Sequence, residues 1–201
     1  MPVPVDRLTA ADVPAATRTL AAAFADYPLL RAVAPHNPLS AEAFCGMLVR
    51  YCVTAGAADA TADRAAVACW LPPGCGALSP LGLARSGALA LAAELGLSGT
   101  VLLLRLAHQF ERLERRHVPG PHWYLVLLGV EPASQRRGLA RAVLRPGFDA
   151  ADRAGQPCYL ETQDGADVPI YQRLGFELVG HRRVAGGLWN WEMRRDPRDR
   201  V

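Results

Sequence analysis

Eight residues, Trp123 to Val130 (WYLVLLGV), carry no charge and almost no polarity. A run this short, this rich in aromatic and branched residues and without polar–apolar alternation reads as a strand covered on both faces. Such a strand belongs inside a sheet with helices packed on each side, which commits the chain to an α/β architecture. Pro132 then stops the strand, and a polar turn, Gln135-Arg136-Arg137-Gly138, hands over to a helical pattern running to about Ala154, with Gly155 as its stop. A helix that opens straight after a strand aims several unpaired backbone N–H groups at one spot, where the aligned peptide dipoles add partial positive charge. Gly138 lets the main chain approach a ligand closely, and the two arginines add formal charge. The turn therefore suits a pyrophosphate or another polyanion, or else is an ordinary helix start with solvated arginines.

Other elements arrange themselves around this junction. The segment 3–9 alternates as a short strand. Thr9 then caps a helix with Pro14 in its first turn and Pro28 at its end. A second helix follows Ser40 and stops at Gly56, and the stretch 64–74 reads as a strand halted by Pro72 and Pro73. Residues 77–118 read as a helical insertion, two buried or partly buried helices parted near Gly96–Gly99. After the central junction come a strand (PCYLETQ), a short helix ended by Gly175, and two alternating strands (FELVGHRRVAG and LWNWEMRRDP), with a solvated arginine-rich tail. The whole reads as one domain, 1–201, built on a mixed sheet.

Composition matters chiefly for what it excludes. All 22 basic residues are arginine, so the chain has no lysine for a Schiff base and none for a Walker-type phosphate loop. A formal charge of +3 with arginines spread along the chain argues against nucleic acid. Arg85, Glu94 and Arg105 interrupt the apolar stretch of the insertion, which argues against a membrane span. Five cysteines without paired spacing, and no secretory pattern at the amino terminus, point to reduced thiols and a cytoplasmic protein. No Cys/His cluster has metal-ligand spacing. His36, His108, His117 and His181 read as ordinary surface or core histidines.

The turn stands as Gln135-Arg136-Arg137-Gly138-Leu139-Ala140, and this pattern resembles the acyl-CoA signature of the GNAT superfamily of N-acetyltransferases, Gln/Arg-x-x-Gly-x-Gly/Ala. The preceding strand, the downstream YLETQDGADVPIYQRLGF and the closing LWNWEMRR match further family elements in the family's order, over about 75 residues. The amino-terminal DVPAATRTLAAAFADYPLLR, the WLPP strand end and PGFDAADRAG resemble the puromycin N-acetyltransferase subgroup. The resemblance implies a mixed, mostly antiparallel sheet flanked by helices, with the insertion placed before the central strand. It implies acetyl-CoA as donor co-substrate, no metal, and a small-molecule primary amine as acceptor, an antibiotic or aminonucleoside among the options. A protein amino terminus, a biosynthetic amine, or a CoA-binding regulator without catalysis remain alternatives. The assembly would be a monomer or a homodimer.

Residue by residue, the resemblance places the CoA pyrophosphate on the turn amides of Arg137, Gly138, Leu139, Ala140 and Arg141, beside Gln135 and Arg136. The pantetheine arm would lie along Leu128, Gly129 and Val130, where the family's central strand splays from its neighbour. Gly129 fits a bulge there, or simple packing. Tyr171 becomes the general acid for the departing thiolate, since a phenol with a pKa of about 10 can protonate a thiolate whose conjugate acid lies near ~8.5. Glu161 is a candidate base or a structural carboxylate, with His122 as second candidate. Asp167 takes the place of a common asparagine, which puts the cofactor contact of that amide in question. Asp26 and Tyr27 fall where relatives bind acceptor. Cys158 is the cysteine nearest the site, and a covalent acetyl-cysteine there is the mechanism opposed to direct transfer.

Overall fold

The computed structural model describes residues 3–37, 40–75 and 79–198. Seven strands form one sheet: β1 (Val5–Arg7), β2 (Ala57–Thr61), β3 (Ala66–Leu71), β4 (Trp123–Val130), β5 (Cys158–Thr162), β6 (Glu177–Arg183) and β7 (Trp189–Arg195), in the spatial order β1-β2-β3-β4-β5-β7-β6. Every pairing is antiparallel except β4 with β5. The helices are α1 (Val13–Ala23), α2 (Pro28–Val33), α3 (Ser40–Ala55), α4 (Pro80–Ser86), α5 (Ala88–His117), α6 (Leu139–Arg153) and α7 (Val168–Arg173). The expected mixed α/β fold is what forms, with helices on both faces.

Two apolar layers hold it together. On one face, α1, α2, α3 and α5 bury Leu20, Leu48, Val49 and Leu106 against the sheet with Leu127 of β4. On the other, α6 presses Val143 and Leu144 onto Trp70, Leu125, Leu160 and Met193. The contact at Trp70 is close. A Cβ on Gly147 would lie 2.5 Å from the indole Cε2, and Trp70 meets Phe148 and Trp123 edge-on at 5.8 and 6.3 Å. The helix runs on through Pro146 without interruption.

Several expectations change. Pro28 does not end the first helix; α1 stops at Ala23, and Pro28 opens α2, where its missing N–H is least costly. The strand β2 (AADAT) gives no propensity signal because it centres on an aspartate. Asp59 lies directly opposite Arg7 and pairs with it at 2.8 Å, which lets a carboxylate sit buried in a strand. The arginine tail is not all solvated. Arg195 is buried, making two 2.8 Å bonds to Asp152 with its guanidinium over the Phe148 ring.

The insertion is helical as expected, although its expected start at Ala77 lies outside the described residues. It breaks at Gly96, whose φ of +65° leaves the helical region. It is far less buried than expected, with Leu89 and Leu97 78% and 83% exposed. By length and composition α5 is long and apolar enough to cross a membrane.

We predict that Gly147→Ala lowers stability by about 1–3 kcal/mol, because the added methyl has no room beside Trp70. Thermal melting should show a drop of several degrees, whereas Gly120→Ala, where an added Cβ meets nothing within 4 Å, should leave the midpoint within about a degree.

Candidate active site

The parallel pairing of β4 with β5 is only two residues long, Trp123 with Cys158 and Tyr124 with Tyr159. Beyond Tyr124 the strands part, as the resemblance implied for Leu128 to Val130. A cavity of about 1400 Å³ opens along the gap. It runs from the α6 entrance, past β4, to a chamber walled by α1, α3, α4 and α5.

At the α6 end, Arg136 (φ +62°) and Gly138 (φ +79°) adopt left-handed conformations. Gly138 is the N-cap, and among the described residues no side chain caps the helix. The first backbone bond of α6 runs from the Ala142 N–H to the Gly138 carbonyl at 3.2 Å. The N–H groups ahead of Ala142 thus stand at an open entrance, and a Cβ on Gly138 would meet nothing within 4 Å. The Gln135 side chain donates to the Val130 carbonyl at 3.3 Å and closes the turn onto β4. Arg141 is held away, its guanidinium donating to the Arg173 carbonyl at 2.8 Å. An open, cationic helix entrance of this kind fits a pyrophosphate. Gly129 is a packing glycine: its Cβ would lie 2.7 Å from Leu20 and 3.0 Å from Ala23, so it lets α1 close onto β4, and the only irregularity of that strand pair lies at Cys69/Trp70.

Tyr171, on α7, lines the cavity and meets Phe176 edge-on at 5.9 Å. Burial, helped by Asp167 and Tyr27, raises its phenol well above the ordinary value, so it holds its proton. Asp167 ends a directed chain. The Gln163 N–H donates to the Tyr27 hydroxyl (2.9 Å), Tyr27 lies 3.1 Å from the Thr162 hydroxyl, and Thr162 donates to Asp167 at 2.9 Å. An acceptor oxygen is all this position requires of residue 167. Tyr27 therefore pins the α1–α2 corner to the end of β5, while Asp26 pairs with Arg31 at the exposed rim.

Glu161 is partly buried in the cavity wall, accepting from Tyr159 at 2.8 Å and facing the Tyr124 hydroxyl at 3.5 Å. Burial pushes its carboxyl up to about 8, against the pull of the tyrosine bond and with further push from Glu114 and Glu192. Nearby, His122 lies between the Gly120 carbonyl (2.7 Å) and Glu114 (2.9 Å). Burial would lower its pKa, but these two partners outweigh burial and raise it. Cys158 points the other way, into the α6 layer, where burial pushes its thiol up to about 12. It is not a cavity residue. Among the described residues no cluster has a metal-binding arrangement. Sequence reasoning missed Tyr124, Tyr159, Gln163 and Glu114. The period of two along YLETQ places Tyr159, Glu161 and Gln163 on one face and was the available signal for two of them.

Residues 111–197 match the acetyltransferase (GNAT) domain family model. It is 40% identical over 77 residues to the N-alpha-acetyltransferase RimI of Mycobacterium tuberculosis, covering 36% of this chain and 48% of that protein. It is 41% identical over 54 residues to an uncharacterized N-acetyltransferase of Schizosaccharomyces pombe, covering 27% and 22%. The chain thus spans under half the length of these relatives. The fold matches the crystal structure of a histone acetyltransferase HPA2 and related acetyltransferase from Corynebacterium glutamicum, with a TM-score of 0.71 at 23% identity, covering 100% and 99% of the two chains.

The raised Glu161 carboxyl has a measurable cost. In the unfolded chain it ionises at the ordinary 4.5, whereas the fold keeps it neutral up to about 8. The stability it contributes is therefore full at low pH and declines as pH rises through that window. Melting temperatures measured from about pH 5 to about pH 9 should fall less for Glu161→Gln than for the wild type, and parallel curves would contradict the burial of this group.

Proposed function

We propose that this protein transfers an acetyl group from acetyl-CoA directly to the primary amine of a small molecule. The observation that carries this reading is one continuous cavity that joins an open helix entrance, a protonated phenol and a partly buried carboxyl of raised pKa. Acetyl-CoA supplies a thioester carbonyl as electrophile and a thiolate as leaving group. The amides at the start of α6 hold its pyrophosphate, and the parted edges of β4 and β5 receive its pantetheine arm. Glu161, when ionised, takes a proton from the acceptor nitrogen as the new C–N bond forms. Tyr171 gives its proton to sulfur as the C–S bond breaks. With Cys158 turned into the opposite layer, acetyl passes straight to nitrogen.

The acceptor end supports a small molecule. Its wall comes largely from Phe24, Phe44, Leu83, Leu95 and Leu103, which lie before the region of family similarity, and the chamber is predominantly apolar. The amino-terminal resemblance to the puromycin N-acetyltransferase subgroup places aminonucleoside-like amines among the candidates. A thiol-release assay with acetyl-CoA and agmatine, spermidine, 2-phenylethylamine and puromycin tests the reading. Release dependent on at least one amine is expected, and amine-independent or absent release overturns it.

Two variants separate the roles. Gly138→Glu places a carboxylate at the entrance and should weaken acetyl-CoA binding at least about 100-fold by calorimetry, since like charges in contact cost several kcal/mol. Gly138→Ala, with the same backbone strain and no charge, should lose much less. Tyr171→Phe should lower kcat by about 10²- to 10⁴-fold with donor affinity nearly unchanged. Unaltered turnover would remove Tyr171 from the chemistry.

A further inference from the structure

Behind the cavity wall lies a row of buried polar side chains that the proposed chemistry does not use. Glu192 on β7 is fully buried, opposite Glu161 in the β5–β7 register. Arg182 of β6 donates to it through Nε at 3.0 and 3.2 Å, with Nη2 at 3.0 Å. The His117 ring also lies beside it, with Nε2 3.4 Å away. Gly180 makes this packing possible, because a Cβ there would fall within 3 Å of both Glu192 and His117.

The donors and acceptors of this row admit one arrangement. An ion-paired carboxylate only accepts, so the group that Asn190 presents to Glu192 must be its NH2, at 2.8 Å. The Asn190 Oδ1 then faces Gln163, which must present its own NH2, at 2.6 Å. That leaves the Gln163 carbonyl oxygen. Among the described residues no partner is found for it, and it is not one of the atoms sealed from solvent. Gln163 is 6% exposed, and it lines the cavity. Its backbone is fixed by the bond to Tyr27. A side chain this constrained, with one acceptor left over and a place in the cavity wall, is positioned for a ligand. Two amides in series have carried the polarity of the Arg182–Glu192 pair across β7 to the wall.

We propose that Gln163 recognises the acceptor: its amide oxygen, aimed by Arg182, Glu192 and Asn190, accepts a hydrogen bond from an N–H of the acceptor substrate. Glu161 and Gln163 are two residues apart and both line the cavity, so both can address one nitrogen held between them. An oxygen that cannot be turned into a donor selects amines and rejects groups that only accept, such as carboxylates. Asn190 and Glu192 are positioning residues in this scheme. The inference rests on the acetyl-transfer reading and adds to it a determinant of acceptor choice.

The test is a double-mutant cycle on the amine of the panel that is turned over fastest, at saturating acetyl-CoA. Gln163→Met keeps length and removes the acceptor. It should raise the amine KM about 10-fold, the worth of one hydrogen bond to a charged or partly charged group, with kcat within about twofold and the acetyl-CoA KM unchanged. Glu192→Gln frees the amide row to reverse and should raise the same KM, but have no further effect in the Gln163→Met background. An unchanged amine KM in Gln163→Met, or additive effects of the two changes, overturns the proposal. Asn190→Leu replaces Glu192→Gln in the cycle if the latter melts below the assay temperature. If no amine is turned over, the acetyl-transfer reading fails by itself. Calorimetry on the coenzyme A-loaded protein then decides this proposal separately. Binding of 2-phenylethylamine that weakens about 10-fold in Gln163→Met supports it, and absent amine binding or preferential binding of 3-phenylpropanoate overturns it.

Discussion

The parting of β4 from β5 after one pair of rungs is the constraint on which the rest of the structure depends. A sheet that stayed paired would spend the inner edges of both strands on each other and leave no path through the molecule. Because pairing ends at Tyr124 and Tyr159, the edges open, and α6 begins at the wide end. The close packing of α1 on Gly129 and of α6 on Trp70 supports each side of the wedge. The opening is thus flanked by close packing on both faces.

Strand β5 divides two environments. Cys158 and Leu160 face the apolar layer under α6, while Glu161 on the other side lines the cavity and Tyr159 lies buried behind it, bonded to Glu161. Burial works in the same direction on the phenols and on the Glu161 carboxyl, favouring the protonated form in each. The side chains nearest the cavity are thereby biased towards holding protons, and Glu161 sits closest to neutrality among them. Arginine supplies the fixed charges: Arg182 at Glu192, Arg195 at Asp152 and Arg7 at Asp59 all pair with buried or nearly buried carboxylates. A planar fork meets such partners through more than one N–H, which suits a chain without lysine.

Much of this was legible in the order of residues. The apolar run of β4, the breaker and the glycine that follow it, and the stops at Gly155 and Gly175 fix strand, turn and helix from local rules alone, and the left-handed φ of those glycines bears them out. Strand β2 was not legible, since its aspartate is tolerated only because Arg7 lies across from it, a fact of pairing and not of composition. The exposure of Leu89 and Leu97 was hidden for a related reason: hydrophobic residues predict burial only when something packs on them. Of the site, the α6 entrance, Glu161 and Tyr171 could be named from motifs. Gln163, Asn190 and Glu192 could not be assembled, because their relation arises from the register between β5 and β7.

That register has a consequence for how the fold must be checked during its formation. With only two rungs to β4, the lateral position of β5 is set by its five rungs to β7. Sliding β5 by a single residue would exchange its two sides, sending the acid and amide side chains into oil and bringing a thiol and a leucine to the water-facing wall. The strand β7, which itself touches no substrate in this scheme, thus acts as the template that decides which side of its neighbour becomes chemical and which becomes structural.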